Sequence, residues 1–305
     1  MPEKTSDIWW LFSRQTVVIS TKESVLNSAL LMKNRNFRHL PVIGESGKIV
    51  GIISLQDVID SLNLTLQSAS SADDVIASLR VPVERIMTRQ PIVIEQGDGL
   101  REVIKKFSFH NLGALPVVNM LGVVEGIMTL RDLVSLIGAS SSPMNVQVSE
   151  IMNTHVTTVE PDWTLAKAVE LMSEKRVRRL PVVGNDRQLE GVLTNKDVIR
   201  HVARIVNGGS GPSGFERLIV EFMTADAITI GSEDDVRVAA NQMTNFGVGG
   251  LVVGDLPSSK IALITERDLI QTLFSKKGVD FLLKSMQYEL EAEDAMSRVR
   301  SFTSR

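Results

Sequence analysis

Three short motifs recur in the same order four times along the chain, and this repetition constrains the fold more than any other feature. The middle motif reads Leu40-Pro41-Val42-Ile43, Leu115-Pro116-Val117-Val118 and Leu180-Pro181-Val182-Val183. The closing motif is Gly51-Ile52-Ile53-Ser54-Leu55-Gln56-Asp57-Val58, and it returns at residues 126–133 and 191–198. The opening motif is Leu11-Phe12-Ser13, then Ile86-Met87-Thr88, then Ile151-Met152-Asn153. A fourth copy holds Phe222-Met223-Thr224, a proline-free Gly249-Gly250-Leu251-Val252-Val253, and a closing segment at residues 262–269. Three anchors in register over four copies exclude coincidence.

Each copy has the same local pattern. A β-branched run opens it, at residues 17–19, 92–94, 156–159 and 228–230. A helix follows: Leu165, Ala168, Val169 and Met172 lie three and four positions apart and make one apolar face. In the third copy two strands come next, at residues 181–183 and 190–193, joined by a polar turn, and a helix from about 195 to 202 closes the unit. The order β-α-β-β-α defines an α/β (α+β) chain. One unit of about 50 residues buries too little of its sheet to stand alone, so copies are expected to pair, sheet against sheet. The expected copies span 8–65, 82–138, 147–206 and 218–275, followed by a helical tail at 276–305. Residues 62–80, 138–143 and 208–214 read as linkers and group the copies two by two. In the tail Phe281, Leu282, Met286, Leu290 and Met296 form an apolar stripe, either docked on its own module or serving dimerisation. Trp9-Trp10 reads as packing onto the first module, or as a partner contact.

Composition narrows the function classes. Lys+Arg is 33 against Asp+Glu 36, a net charge of -3, which argues against a nonspecific polyanion binder. The absence of cysteine excludes disulfides, thiol catalysis and Cys-ligated zinc. His39, His110, His155 and His201 lack metal-ligand spacing, and no nucleophile–base constellation is visible, so no enzyme is expected. Residues 209–214 fit G-x-G-x-x-G formally but follow a helical run, and read as a linker. No apolar run approaches the ~18 residues of a membrane span, and a soluble, cytoplasmic protein is expected.

Taken together, the Ile-Met-Thr-like start, the (Arg/His)-x-Leu-Pro-Val-Val middle and the Gly-h-h-Thr-x-x-Asp-h close resemble the cystathionine-β-synthase (CBS) domain family over residues 8–275. The resemblance implies four CBS repeats paired about pseudo-twofold axes into two Bateman modules, each with two clefts. It also implies a regulatory role, sensing AMP, ADP, ATP or S-adenosylmethionine, with no obligatory cofactor. No enzyme or transporter domain accompanies the repeats, so the implied action is on a protein partner in trans, and a homodimer is the expected assembly.

The closing motif places a hydroxyl and, three residues on, a carboxylate where a strand enters a helix. Ser54/Asp57, Thr129/Asp132, Thr194/Asp197 and Thr265/Asp268 therefore read either as capping boxes or as a ligand site. In the second reading the helix N-terminus attracts phosphate and the Asp accepts from a ribose diol. The family resemblance assigns these same roles. The residue before the Asp is Gln56, Arg131, Lys196 or Arg267, basic in three copies. Before Leu-Pro stand Arg38-His39 and Arg178-Arg179 in the odd copies, but Gly113-Ala114 and Gly249-Gly250 in the even ones. One strong cleft per module is the expectation. The first combines Thr129, Arg131 and Asp132 with Arg38 and His39; the second combines Thr265, Arg267 and Asp268 with Arg178 and Arg179. Glu266 counts against the second. By resemblance the base is read near Val17, Ile92, Thr157 and Ile228, positions that serve equally as sheet core. A competing function is a nucleic-acid-binding or structural scaffold, with Arg176, Arg178, Arg179, Arg200 and Arg204 as its patch.

Overall fold

The computed structural model describes residues 11–13, 16–69, 71–95, 97–140, 143–185, 188–208, 214–256 and 260–284. Trp9-Trp10, most of residues 208–214, and Met286, Leu290 and Met296 of the tail stripe lie outside them.

Repeat 1 runs β1 (Ile19–Ser20), α1 (Val25–Arg35), β2 (His39–Ile43), β3 (Ile49–Ser54) and α2 (Leu55–Leu66). Helix α3 (Ala72–Ser78) leads to repeat 2: β4 (Thr88–Arg89), α4 (Leu100–Phe109), β5 (Ala114–Val118), β6 (Val124–Thr129) and α5 (Leu130–Ala139). Repeat 3 holds α6 (Val148–Ile151), α7 (Leu165–Glu174), β7 (Arg179–Val183), β8 (Leu189–Thr194) and α8 (Asn195–Val206). Repeat 4 holds β9 (Thr229–Ile230), α9 (Val236–Asn245), β10 (Gly250–Val253) and β11 (Leu263–Thr265). It closes in a helix over residues 266–284 with a π-helical stretch at Asp268–Thr272.

The expected β-α-β-β-α order holds, with shorter opening strands. Those of repeats 2 and 3 shrink to the single parallel bridges Ile94↔Val117 and Val159↔Val182. Two differences matter. Residues 62–80, read as a linker, contain α3, capped by Ser71 and burying Val75, Ile76 and Leu79. Gly138, read as the start of a linker, lies inside α5.

The opening motifs are exchanged within each pair, which defines the modules. Ser13 of repeat 1 bridges Ile127 on β6, while β4 of repeat 2 joins β3 through Gly51↔Arg89 and Ile52↔Thr88. Likewise Asn153 bridges Leu263, and Thr224 bridges Val192. Burial runs the other way. One buried cluster joins repeats 1 and 3, and the other joins repeats 2 and 4. Helix α5 packs on α9, α2 on α7, and α1 on α8. The expected sheet-to-sheet pairing within a module is thus not the whole solution. Helical faces bury against the other module as well as within their own, since an apolar helix face must be covered by another layer. Leu282 belongs to the repeat 2–repeat 4 cluster and Phe281 packs against it, which places the described start of the tail on a core shared by both modules.

Candidate functional site at the centre of the four repeats

All four strand-to-helix junctions form the expected cap. The backbone N–H of Ser54, Thr129, Thr194 and Thr265 donates to Oδ2 of Asp57, Asp132, Asp197 and Asp268 at 2.6, 2.6, 2.8 and 2.8 Å. Each hydroxyl donates to the same oxygen, at 2.8, 2.8, 2.6 and 2.7 Å. The capping reading is therefore realised, and it fills Oδ2 alone. Among the described residues, Oδ1 of Asp57, Asp132 and Asp268 has no protein partner, while Oδ1 of Asp197 accepts from Arg200 Nη1 at 2.7 Å. A carboxylate oxygen accepts about two hydrogen bonds, so Oδ1 keeps its full capacity for sugar hydroxyls at Asp57, Asp132 and Asp268, whereas at Asp197, 3% exposed, Arg200 already takes part of it. Burial raises Asp57, Asp132 and Asp268 above the ordinary carboxylate value, against the lowering effect of the cap bonds.

The residues before these Asp reach across the module boundary rather than along their own cleft. The first helix of each repeat ends near a left-handed residue: Asn36 (φ 57°), Asn111 (φ 55°), Arg176 (φ 51°) or Gly247 (φ 66°). Lys196 Nζ donates to Asn36 Oδ1 at 2.6 Å, Arg267 Nη2 to the Asn111 carbonyl at 3.4 Å, and Arg131 Nη2 to the Gly247 carbonyl at 3.0 Å. Gln56 follows the pattern, donating to the Met172 carbonyl at 3.4 Å. A cation at a helix C-terminus meets exposed carbonyls and the negative end of the dipole. These side chains therefore tie repeat 1 to 3 and repeat 2 to 4, a role spacing within one repeat does not reveal.

The alternation of basic and small residues has a steric cause. A Cβ on Gly249 would collide with Arg179 Nη2 and lie 2.8 Å from Arg38 Nη1. One on Gly113 would lie 3.1 Å from His39 Nε2 and 3.3 Å from Arg178 Nη2. Gly249 makes room for arginines from both odd repeats, and Gly113 for His39 of repeat 1 and Arg178 of repeat 3. Arg38 and Arg131, expected together in the first module's strong cleft, do come together, on Glu266 of the other module. Arg38 Nη1 lies 2.7 Å from Glu266 Oε2 and Arg131 Nε 3.0 Å from Oε1. His39 is held well below its ordinary value by burial, then by Arg178 and Arg38, so it is neutral at pH 7.

A cavity of about 230 Å³ opens at this centre. Thr194, Asn195, Lys196 and Asp197 line one side, Asp226, Ala227 and Ile228 another, and Arg38, Arg131, Arg178 and Arg179 its charged end. Ile228 is thus the one expected base-reading position that lines it; Val17, Ile92 and Thr157 occupy partly buried positions in their own repeats. Three features matter chemically. Arg178 and Arg179 have no carboxylate within ion-pair distance among the described residues. Burial, then neighbouring Arg267 and Arg38, pushes Arg178 down to about 9; burial also pushes Arg179 down to about 10. The Nδ2 of Asn195, a residue 4% exposed, has no hydrogen-bond partner among the described residues. Sequence reasoning passed over Asn195, although the position after each hydroxyl cap (Leu55, Leu130, Asn195, Glu266) turns polar only in the second module. Of the residues of the supposed nucleic-acid patch, Arg178, Arg179 and Arg200 line this cavity, and Arg200 also pairs with Asp197. Among the described residues no group of three or more metal-ligating side chains occurs, and no helix is long and apolar enough to cross a membrane.

A family model described as CBS domain matches residues 6–64, 83–139, 148–204 and 219–275. An uncharacterized 33.4 kDa protein in the ribosomal RNA operon of Thermofilum pendens is 31% identical over 276 residues, covering 87% of this chain and 90% of that one. The crystal structure of MJ1225 from Methanocaldococcus jannaschii, described as a candidate archaeal homolog of g-AMPK, superposes with a TM-score of 0.76 at 23% identity. It covers 87% of this chain and 99% of its own, and supports the fold.

Proposed function

The chain belongs to the CBS domain family, and from that premise we propose that it is a regulatory protein binding an adenosine-containing nucleotide (AMP, ADP or ATP) in the central cavity. The observation that carries this reading is the pair of partly buried guanidiniums, Arg178 and Arg179, left without a carboxylate among the described residues in a cavity also lined by Thr194, Asn195 and Asp197. Partly desolvated cations without a carboxylate are costly, and a phosphate dianion is the anion class that guanidinium forks match. Asp197 then reads the ribose and the backbone near Ile228 the base, while Ser54, Asp57, Thr129, Asp132, Thr265 and Asp268 offer the same chemistry at the other junctions. S-adenosylmethionine shares the adenosine but lacks the phosphate, and is expected to bind this cavity more weakly. The regulatory output is action on a protein partner in trans, with binding shifting the arrangement of modules or of a homodimer.

Calorimetric titration with AMP, ADP, ATP, S-adenosylmethionine and a short DNA duplex tests the proposal. Saturable nucleotide binding is expected, weakened at least tenfold by Asp197→Ala. Salt-steep duplex binding without nucleotide affinity would establish the scaffold reading instead.

A pH dependence accompanies the site. Burial, then Arg38 and Arg131, pushes Lys196 down to about 8. Phosphate favours the protonated amine, so nucleotide affinity is expected to hold near pH 7 and to fall as pH rises through about 8 to 9. Lys196→Gln should bind more weakly at pH 7 and flatten that slope, measured by calorimetry at fixed ionic strength.

A further inference from the structure

We infer that Glu266 sets how many phosphate groups the central cavity accepts: its carboxylate takes the place of a phosphate on Arg38 and Arg131 and leaves Arg178 and Arg179 for a monophosphate. The inference rests on the nucleotide reading above and adds a residue that discriminates among nucleotides. The Glu266 side chain is 5% exposed, and it meets Arg38 through both nitrogens of the fork and Arg131 through Nε. Both arginines line the same cavity as Arg178 and Arg179. Of the five arginines that line the cavity, Arg38 and Arg131 are therefore already engaged by Glu266 and Arg200 by Asp197, which leaves Arg178 and Arg179.

The fold does not call for this charge. The equivalent residues after the other three hydroxyl caps are Leu55, Leu130 and Asn195, and all four junctions form the same cap. Glu266 is also ionised at neutral pH, lowered to about 2 because Arg38, Arg131 and Arg179 outweigh the burial that opposes ionisation. A second or third phosphate extending from Arg178 and Arg179 toward Arg38 and Arg131 meets a fixed negative charge. Like charges in a partly desolvated site repel strongly.

The test is calorimetric titration of the full chain and of Glu266→Gln with AMP, ATP and inorganic pyrophosphate, which carries two phosphates and no nucleoside. The expected result is a rise of about tenfold or more in the ATP-to-AMP affinity ratio, with a parallel gain for pyrophosphate. A variant that binds AMP as the parent does, with an unchanged or lower ratio, overturns the inference and leaves the nucleotide reading standing. Pyrophosphate binding that strengthens in the variant while no nucleotide binds either protein supports the role of Glu266 and overturns the nucleotide reading. Should Glu266→Gln fail to fold, Arg38→Gln/Glu266→Gln removes the pair as a neutral unit. Its ratio should exceed that of Arg38→Gln alone, and equality overturns the inference.

Discussion

The Arg178→Gln/Arg179→Gln double variant is expected to lose adenine-nucleotide affinity by about a thousandfold and, without ligand, to unfold at a higher temperature than the parent. The two effects share one cause. Both guanidiniums are partly buried at the cavity end with no carboxylate in ion-pair range among the described residues, and burial lowers both pKa values. A base whose folded pKa lies below its unfolded value subtracts stability while it is protonated in both states. The penalty is full at pH 7 and shrinks as pH rises through about 9 and 10 toward the ordinary arginine value. Glutamine removes the charges and should raise stability by about 1–2 kcal/mol. The same change deletes two sets of charge-assisted hydrogen bonds to phosphate, each contributing about 1.5–3 kcal/mol, hence the size of the affinity loss. Thermal melts with and without nucleotide, alongside titration, read both numbers. Parent-like affinity in the double variant would remove the basis of the proposed site.

Gly138→Val should destabilise the chain by about 3 kcal/mol, the upper end of what overpacking usually costs. A Cβ at 138 would lie 2.8 Å from the Asn241 backbone nitrogen and 3.0 Å from the Ala240 carbonyl carbon, so the obstacle is the main chain of α9 rather than a side chain that can turn aside. Helix α5 belongs to the first module and α9 to the second. Their crossing is also held by Arg237 Nη1 donating to the Ser140 carbonyl at 3.2 Å. Because repeats 2 and 4 share one buried cluster, forcing these helices apart opens that core. Urea denaturation gives the loss. Gly99→Ala, where a Cβ meets nothing within 4 Å and the residue is the N-cap of α4, is the control and should cost no more than about 1 kcal/mol.

Gly138 also shows where sequence reading falls short. Followed by Ala139, Ser140 and Pro143, it has the composition of a linker, and only the approach of α9 shows that its missing side chain is a packing requirement. Glu266 is a second case. On the sequence it reads as a charge that repels phosphate, and the structure adds that it is already paired with two arginines. The third is Arg131, Lys196 and Arg267. Their chemistry as cations was legible, yet each also reaches a helix end in the opposite module.

What the sequence by itself determined is everything that depends on neighbours: the fourfold unit, its β-α-β-β-α order, and the four hydroxyl–carboxylate caps. Periodicity and a three-residue spacing encode these, because hydrogen bonds and apolar faces within one unit close over short stretches of chain. Only the tertiary structure decided which repeats share a core and which cations face which cavity. Arg38 and Glu266 are 228 positions apart, and their meeting depends on how helical faces from two modules bury against each other, a packing choice that no local pattern records.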